Sequence, residues 1–453
     1  MKLLTLEENR RRIENVRYAA EHVKACGKHV RIRDYLPGQV TYNLGPYPAK
    51  FSIEPTEYDY NLVKSFAERG VGLIQVHEEW NDSIRHLGAD KYSSHDPAGM
   101  KNFIKLCHDF GIKVLPYLSA FYFDRRDPDF RRDFMRYESY LVSVHFEYAN
   151  CSAASDTWTT YFFEKMKRAL DEYEFDGIYN DTGCEEFSKR HHEARAQGRA
   201  YCTQKDIQYD PYEVDFYARM YSFVKERGGI MKMHYSNNCR PASEEKLYDY
   251  LWVGEGVSDV DSMLETIGFD PYLVPCPDLR WAKDEDVKKL FAQTIPFLQF
   301  PIRPDGRPYE PLKMISEPIS YNTGTMYRAY QKMQEYIDAH PNGPHIYSDW
   351  SGIPDNEEYR AAWFRYLELY RPMVEENTLC HMNVTESTIT KGKLPERVYM
   401  SLFTGNEQYL CLSNLADKVQ TVDLCEPWLD RESGSPVQRV TLPSGALAFL
   451  KRI

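Results

Sequence analysis

The chain has 453 residues, of which 42% are hydrophobic and 14% aromatic, and it carries a formal net charge of −12 at pH 7. This length suggests one large domain together with a smaller one. The negative charge and the scattered Lys and Arg residues exclude a concentrated basic face for nucleic acid. We therefore expect no nucleic-acid partner. We also expect no membrane partner, because no stretch approaches the roughly 18 apolar residues of a membrane-spanning helix.

The ten cysteines occur singly, without a CxxC pair, which favours reduced thiols inside a cell. The N-terminal residues 1–6 run directly into the charged residues 7–12, so they lack the apolar segment of a signal peptide. We therefore expect a cytoplasmic protein, although secretion stays open if a leader has been removed.

Short apolar segments alternate with amphipathic helices over residues 28–378, and this alternation is typical of a parallel α/β sheet. A helix in residues 1–27 comes first. Predicted strands follow at residues 30–35, 71–76, 113–118, 176–180, 230–235, 250–255 and 271–276, and the eighth is either 298–302 or 345–348. Eight such units over this length predict a (β/α)8 TIM barrel.

The pattern changes after residue 378. Strand-like segments separated by glycine-containing turns predict a small C-terminal all-β domain, sandwich-like, over residues 379–453. The sequence therefore predicts three parts, namely an N-terminal helix (1–27), a catalytic barrel (28–378) and this β domain.

Polar side chains follow several of the predicted strands, where a (β/α)8 barrel carries its reactive groups. They belong to His77, Glu78 and Trp80, to Asn180 and Asp181, to His234 and Tyr235, and to Glu255. Asp181 and Glu255 come from different strands, which is what cleavage of a glycosidic bond by two carboxyl groups requires. Alternatively, Asp181 starts a turn or caps the next helix, and Asp259 and Asp349 compete with Glu255 for the role of general acid.

The segment Phe175-Asp176-Gly177-Ile178-Tyr179-Asn180-Asp181 resembles the end of strand four in retaining α-glycosidases of the α-galactosidase (melibiase) type and their relatives. Residues 96–117 and the tail around 409–415 are similar to parts of the same enzymes, and the resemblance in layout covers roughly residues 60 to 450. This sequence departs from the pattern of those enzymes in two respects: no large β-sandwich precedes the barrel, and the strand-six carboxyl is a Glu rather than the usual Asp.

The resemblance implies that Asp181 is the catalytic nucleophile and that Glu255 is the general acid/base, with the two carboxyls about 5 to 5.5 Å apart. An oligosaccharide or glycoside is then the substrate, and neither a cofactor nor a metal is expected. The residues expected to bind the sugar are His77, Glu78, Trp80, Tyr117, Asn180, His234, Tyr235 and Trp350.

Two other functions compete with this interpretation. His77, Asp181 and His234 could converge on a metal ion in a metal-dependent hydrolase, although the sequence lacks HxH and HExxH motifs at suitable places. A barrel that binds glycans without cleaving them would use its aromatic residues as a platform. The sugar, the linkage, exo or endo action and assembly into a homo-oligomer stay open.

Overall fold

The computed structural model describes residues 4–45, 51–80, 92–124, 127–142, 147–181, 211–235, 246–253, 273–275, 284–307 and 357–453. The chain forms two compact units. The first comprises Met1–Gly38, Trp252–Arg303 and Pro354–Ile453, and the second comprises Gln39–Leu251 and Pro304–Ile353.

The described helices and strands alternate through most of the chain. The helices are α1 (Leu6–His22), α2 (Glu57–Glu68), α3 (Pro97–Asp109), α4 (Asp156–Tyr173), α5 (Pro211–Glu226), α6 (Asp284–Thr294) and α7 (Glu357–Tyr370). The strands are β1 (Val23–Arg31), β2 (Gln39–Asn43), β3 (Leu73–Val76), β4 (Lys113–Leu118), β5 (Tyr122–Asp124), β6 (Met135–Val142), β7 (Glu147–Cys151), β8 (Gly177–Asn180), β9 (Ile230–Tyr235), β10 (Tyr250–Val253), β11 (Leu273–Pro275), β12 (Arg303–Gly306), β13 (Leu379–Ser387), β14 (Val398–Thr404), β15 (Gln408–Asn414), β16 (Gln420–Asp430), β17 (Pro436–Leu442) and β18 (Leu447–Arg452).

A parallel sheet forms the centre of the second unit. Seven of the eight strands of this sheet lie in the order β10-β9-β8-β4-β3-β2-β12, and the pairs β2/β3, β3/β4, β4/β8 and β8/β9 are parallel. Helices α2, α3, α4 and α5 each precede a strand of this sheet. The predicted alternation of parallel strands and helices is confirmed in this part of the chain, and a small antiparallel sheet, β5-β7-β6, is inserted before α4.

The helix N-termini show why these segments fold locally. Thr56 and Asp59 form a reciprocal capping box at the start of α2. Asp96 caps α3 by accepting a hydrogen bond from the Gly99 N–H, and Pro97 occupies the first helical position. The apolar faces of α3 and α4 are buried, with Met100, Phe103, Ile104 and Cys107 on one and Trp158, Phe162, Met166 and Ala169 on the other.

Gly177 is required where β8 begins. Its φ is +142°, and a Cβ placed there would lie 1.9 Å from the backbone oxygen of Ile230 on β9. No side chain can be accommodated so close to a neighbouring backbone. The glycine therefore allows β8 to pair with β9 and sets the position of the residues that follow it, up to Asp181.

An ion pair joins the segment after β12 to the start of α2 in the same unit. The Arg307 guanidinium donates through Nε and Nη2 to the Asp59 carboxylate, whose side chain is fully buried. It also donates to the backbone oxygens of Ser52, Ile53 and Glu54. Although burial raises the pKa of Asp59, the hydrogen bonds from Arg307 and Tyr42 bring it below its usual value.

An antiparallel sheet dominates the first unit, with the strand order β1-β13-β14-β15-β18-β16-β17. Its core packs α1 residues Tyr18 and Ala19 against buried residues of the C-terminal strands, including Leu410, Val422 and Trp428. The predicted C-terminal all-β region is therefore confirmed. No helix in the described ranges is long and apolar enough to cross a membrane.

Two predicted strands need correction. The strand expected at residues 30–35, as the first of the barrel, is instead β1, which pairs antiparallel with β13, while the parallel sheet starts at β2. An apolar run alone does not reveal its pairing partner, which explains the error. Near residues 298–302, the strand begins only at Arg303, because Leu298 takes a left-handed conformation (φ 58°) at the end of a 3-10 turn. The alternative at 345–348 lies outside the described residues.

Candidate active site

Asp181 lies immediately after β8, at the carboxyl end of the parallel sheet. Its backbone N–H donates to the Leu118 carbonyl at the end of β4 over 2.8 Å, so the carboxyl ends of the two strands stay together. The side chain retains 29% of its exposure. A carboxylate in this position is anchored by its backbone and still accessible from solvent.

Side chains from neighbouring strands orient the Asp181 carboxylate. The Tyr117 hydroxyl on β4 donates to Oδ2 over 2.6 Å, and Nδ1 of His234 on β9 lies 3.2 Å from Oδ1. The Tyr179 hydroxyl on β8 is in turn 3.0 Å from the same imidazole nitrogen. Three adjacent strands thus contribute to one polar cluster, which holds both carboxylate oxygens in place.

His77 follows β3 and completes this cluster on its other side. Its ring centroid lies 6.3 Å from that of Tyr117 and 5.9 Å from that of Tyr179. Burial lowers the pKa of His77 to about 4; the nearby Asp181 carboxylate opposes this shift, whereas Lys232 and His234 add to it. His77 is therefore a neutral imidazole at ordinary pH.

Polar side chains also lie in the interior of the sheet below the cluster. The Lys232 ammonium on β9 is fully buried and donates to Oε1 of Gln39 on β2 over 3.2 Å. The Gln75 amide on β3 lies 3.3 Å from Nε2 of His77. Buried charged and amide groups require hydrogen-bonding partners, so these residues maintain a polar interior that reaches the site.

Two of the predicted sugar-binding residues instead support the structure. Asn180 is fully buried; its Oδ1 accepts from the Ala120 N–H over 2.9 Å, and its Nδ2 contacts the Met233 sulfur. Trp80 is also fully buried and donates from its indole to the Tyr117 carbonyl over 3.0 Å. Neither side chain has a surface open to a sugar. Asn180 therefore holds the ends of β8 and β4 together, and Trp80 packs in the core.

The structure describes the remaining predicted residues only in part. Glu78 lies in a short 3-10 turn, Glu78–Trp80, and Tyr235 ends β9, but their side chains lie outside the described structure. Glu255, Asp259, Asp349 and Trp350 also lie outside the described residues. The structure therefore brings together Asp181, Tyr117, His234 and His77 from the predicted set.

Three residues of the cluster and its surroundings were not predicted from the sequence, namely Tyr179, Gln75 and Lys232. Each lies within an apolar strand rather than after it, so a search of strand ends misses it. The signal that could have found two of them is a polar residue inside a buried strand, as with Gln75 in β3 and Lys232 in β9. Tyr179 carries no such signal, because tyrosine is common in strands.

Comparison with solved structures connects this arrangement to a known fold. An α-glucosyl transfer enzyme, XgtA, superimposes with a TM-score of 0.55 at 10% identity, over 92% of this chain and 99% of its own. A Salmonella typhimurium protein assigned as an α-amylase gives 0.52 at 14% identity (92% and 82%), and the α-amylase of H. orenii gives 0.51 at 10% identity (92% and 99%).

No protein-family model and no curated protein sequence matches the chain. At these identities, structural similarity establishes the fold rather than the activity. The chain therefore shares the fold of these solved structures, as the resemblance in the sequence leads us to expect.

Proposed function

We propose that this protein is a retaining glycoside hydrolase that uses Asp181 as its nucleophile and acts on α-linked sugars. The observation that carries the proposal is the geometry around Asp181, a partly exposed carboxylate at the carboxyl end of β8. Tyr117 on β4 and His234 on β9 orient this carboxylate from the strands on either side of β8. Enzymes with this architecture place their reactive groups at this end of the strands.

The architecture that we propose for the whole chain follows from the same reasoning. Within residues 28–378, the part from β2 onwards supplies a closed (β/α)8 barrel, preceded by the N-terminal helix and β1 and followed by the β domain of residues 379–453. Seven of the eight strands of the sheet, in the order β10-β9-β8-β4-β3-β2-β12, support this, as does the α-amylase-type fold of the structural neighbours.

In the first step, a free electron pair of the Asp181 carboxylate attacks the anomeric carbon while the bond to the glycosidic oxygen breaks. The departing oxygen takes a proton from the general acid, which we propose to be Glu255, with Asp259 and Asp349 as the alternatives. In the second step the same residue removes a proton from water, the water oxygen attacks the anomeric carbon, and Asp181 is released.

Tyr117 has a defined task in this scheme. Its hydroxyl donates to Oδ2 of Asp181, and the reacting carbon is attacked by Oδ1, which His234 Nδ1 orients from 3.2 Å. A fixed carboxylate requires no reorientation before attack, and such positioning accounts for much of enzymatic rate enhancement. The neutral His77 next to Tyr117 suits a donor or acceptor for a sugar hydroxyl, and Glu78, Tyr235 and Trp350 are further proposed contacts.

Solved neighbours suggest which substrates to test first. Two are described as α-amylases and one as an α-glucosyl transfer enzyme, so α-glucosides come before other sugars. The resemblance of the segment around Asp181 adds α-galactosides. The acidic net charge favours neutral sugars over anionic ones.

A screen of aryl α- and β-glycosides, with the product anomers followed by NMR, tests the proposal. We expect hydrolysis of an α-glycoside with retention of configuration, unchanged after treatment with a chelator. Inversion would contradict the role of Asp181 as nucleophile. Loss of activity on chelation, with the chain still folded by circular dichroism, would favour the metal-dependent alternative. Glycan binding by the wild-type chain and by Asp181→Asn, without turnover in either, would favour a non-catalytic binding protein.

A further inference from the structure

A second cluster of reactive side chains lies in the antiparallel sheet of the first unit. Cys26 and His29 come from the edge strand β1, and His381 comes from β13, where it pairs directly with His29. One potential ligand atom from each of these residues lies within 4.8 Å of the other two. Residues far apart in the sequence thus bring a thiol and two imidazoles together.

The geometry of this cluster suits a tetrahedral ion. The Cys26 Sγ lies 3.5 Å from Nε2 of His29, and the two imidazole rings are 4.9 Å apart in an edge-to-face arrangement. A zinc ion with Zn–S of 2.3 Å and Zn–N of 2.0–2.1 Å separates its sulfur and nitrogen ligands by about 3.5 Å. The thiol and the imidazole of β1 therefore already have the spacing of two ligands on one ion.

His381 has an unusual environment for a histidine. Its side chain is 6% exposed, and neither of its ring nitrogens has a hydrogen-bonding partner within the described part of the chain. Leaving a buried polar group unpaired is costly, so such a group calls for an explanation. A metal ion bound by one nitrogen would provide the missing partner.

Cys26 is a free thiol that is partly buried, and His29 is exposed. This places the cluster at the edge of the sheet, where an ion can enter from solvent. A thiolate with two imidazoles is a donor set that zinc accepts, whereas magnesium and calcium prefer oxygen ligands.

We propose that Cys26, His29 and His381 form a zinc site that ties β1 to β13. The thiol loses its proton to solvent as the Zn–S bond forms, the two imidazoles bind as neutral ligands, and water takes the fourth position. The site belongs to the first unit and uses none of the residues proposed for glycoside hydrolysis. Its role is to anchor the N-terminal segment on the C-terminal sheet.

The test uses the full chain, stripped of metal with a chelator and then titrated with Zn²⁺ alone against a chromophoric competitor. A parallel titration with Co²⁺ reports thiolate ligation through its charge-transfer absorption in the near ultraviolet. We expect one equivalent of metal to bind, the thiolate band to appear, and the melting temperature to rise, because the ion binds only the folded chain.

Variants assign the ligands. Removing a residue that only hydrogen-bonds to a metal ligand lowers metal affinity roughly 10- to 100-fold. Removing a ligand itself should cost more, so we expect His29→Ala, Cys26→Ser and His381→Ala each to weaken zinc binding by about 100-fold or more. His29 is exposed, so its replacement leaves the core intact even if His381→Ala fails to fold. Cys425→Ser, which removes an exposed thiol from the same sheet, should bind zinc like the wild type.

Two results would overturn the proposal. One is a wild-type chain that binds neither Zn²⁺ nor Co²⁺ with a thiolate band. The other is an affinity that stays unchanged in both His29→Ala and Cys26→Ser. Neither result bears on glycoside hydrolysis, so the two proposals fail or succeed independently.

Discussion

The Tyr117 hydroxyl donates a hydrogen bond of 2.6 Å to the Asp181 carboxylate, although the two residues are 64 positions apart in the chain. The contact arises because β4 and β8 are parallel neighbours, with Leu118 opposite Asn180 in the register. Side chains at the carboxyl ends of both strands therefore meet. This bond is the most direct structural reason to treat Asp181 as a positioned nucleophile.

Removal of this hydroxyl should slow hydrolysis without abolishing it. Hydrogen bonds to charged groups contribute about 1.5 to 3 kcal/mol, and about 1.4 kcal/mol corresponds to a tenfold change in rate. We therefore expect Tyr117→Phe to lower kcat by roughly 10- to 100-fold, with a smaller change in KM. Steady-state kinetics on the best aryl glycoside measures this.

A matched control exists in the same sheet. The Tyr42 hydroxyl on β2 donates to the Asp59 carboxylate, also over 2.6 Å, in a fully buried location. Tyr42→Phe should reduce the free energy of unfolding and leave kcat close to that of the wild type. Equal kcat losses in the two variants would mean that the Tyr117 bond acts only through stability.

Neutralisation of the Asp181 carboxylate should have a much larger effect. Asparagine is close to aspartate in size but cannot form the glycosyl-enzyme, so Asp181→Asn should lower kcat by at least ~10³-fold while substrate binding persists. Kinetics and isothermal titration calorimetry with the same glycoside separate the two effects.

Asp176→Asn provides the comparison for that variant. Asp176 precedes β8 at the opposite end of the strand, where its carboxylate accepts from His108 over 2.7 Å and from the Val114 N–H over 2.8 Å. We expect a loss of stability with kcat preserved. If Asp181→Asn kept substantial activity, the nucleophile would have to be a different residue.

Much of this site was accessible from the sequence, for a physical reason. A buried parallel strand is an apolar run, and the polar residue that ends it is conspicuous, so Asp181, His77 and His234 could be identified as strand-end groups. Their mutual contacts depend on the strand order, which the sequence pattern does not encode. Tyr179 and Lys232 were missed because they lie within a strand, whereas the sequence was searched for polar residues that follow a strand.

The fold, too, has features that could be predicted from the sequence and features that could not. The helices of the second unit could be predicted from their caps and apolar faces, as with Asp96 and Pro97 at the start of α3. The pairing of β1 with β13 could not, because a strand near residue 25 and one near residue 383 share no local signal. The cluster of Cys26, His29 and His381 is a consequence of that pairing, so single-residue patterns could not indicate it.

The depressed pKa of His77 should appear in the pH dependence of stability. The pKa falls from 6.5 to about 4 on folding, mainly through burial, so the unfolded chain binds the proton more readily. The contribution of His77 is fully present above pH 6.5 and is lost as the pH falls to about 4. It amounts to at most about 3 kcal/mol.

Denaturant unfolding of the wild type and of His77→Gln at a series of pH values measures the contribution of His77 to the free energy of unfolding. The difference in unfolding free energy between the two chains should be constant above pH 6.5 and change steadily between pH 6.5 and 4. A difference that is independent of pH over this window would show that His77 does not titrate as its burial implies.

Arg307 should stabilise the second unit through its planar guanidinium. It binds the Asp59 carboxylate through two nitrogens and also reaches four backbone oxygens, including that of Leu44, a pattern that a lysine ammonium cannot reproduce. Breaking one side of a buried ion pair costs about 3 to 5 kcal/mol, and Arg307→Lys keeps the charge, so we expect a loss of about 2 kcal/mol.

Chemical denaturation of Arg307→Lys checks this value. The exposed pair of Arg439 and Asp423 offers the control, because Arg439→Lys at the surface should change the unfolding free energy by less than about 1 kcal/mol. Similar losses in both variants would contradict a special role for the buried pair.

The most direct test of Asp181 as nucleophile is to trap the covalent intermediate. A 5-fluoroglycosyl fluoride of the preferred sugar reacts through its good leaving group and then slows release of the glycosyl-enzyme, and the labelled residue is identified by peptide mass spectrometry. We expect one sugar per chain, attached to Asp181 and absent from Asp181→Asn. A label on another carboxylate, or turnover with inverted product and no adduct, would contradict it.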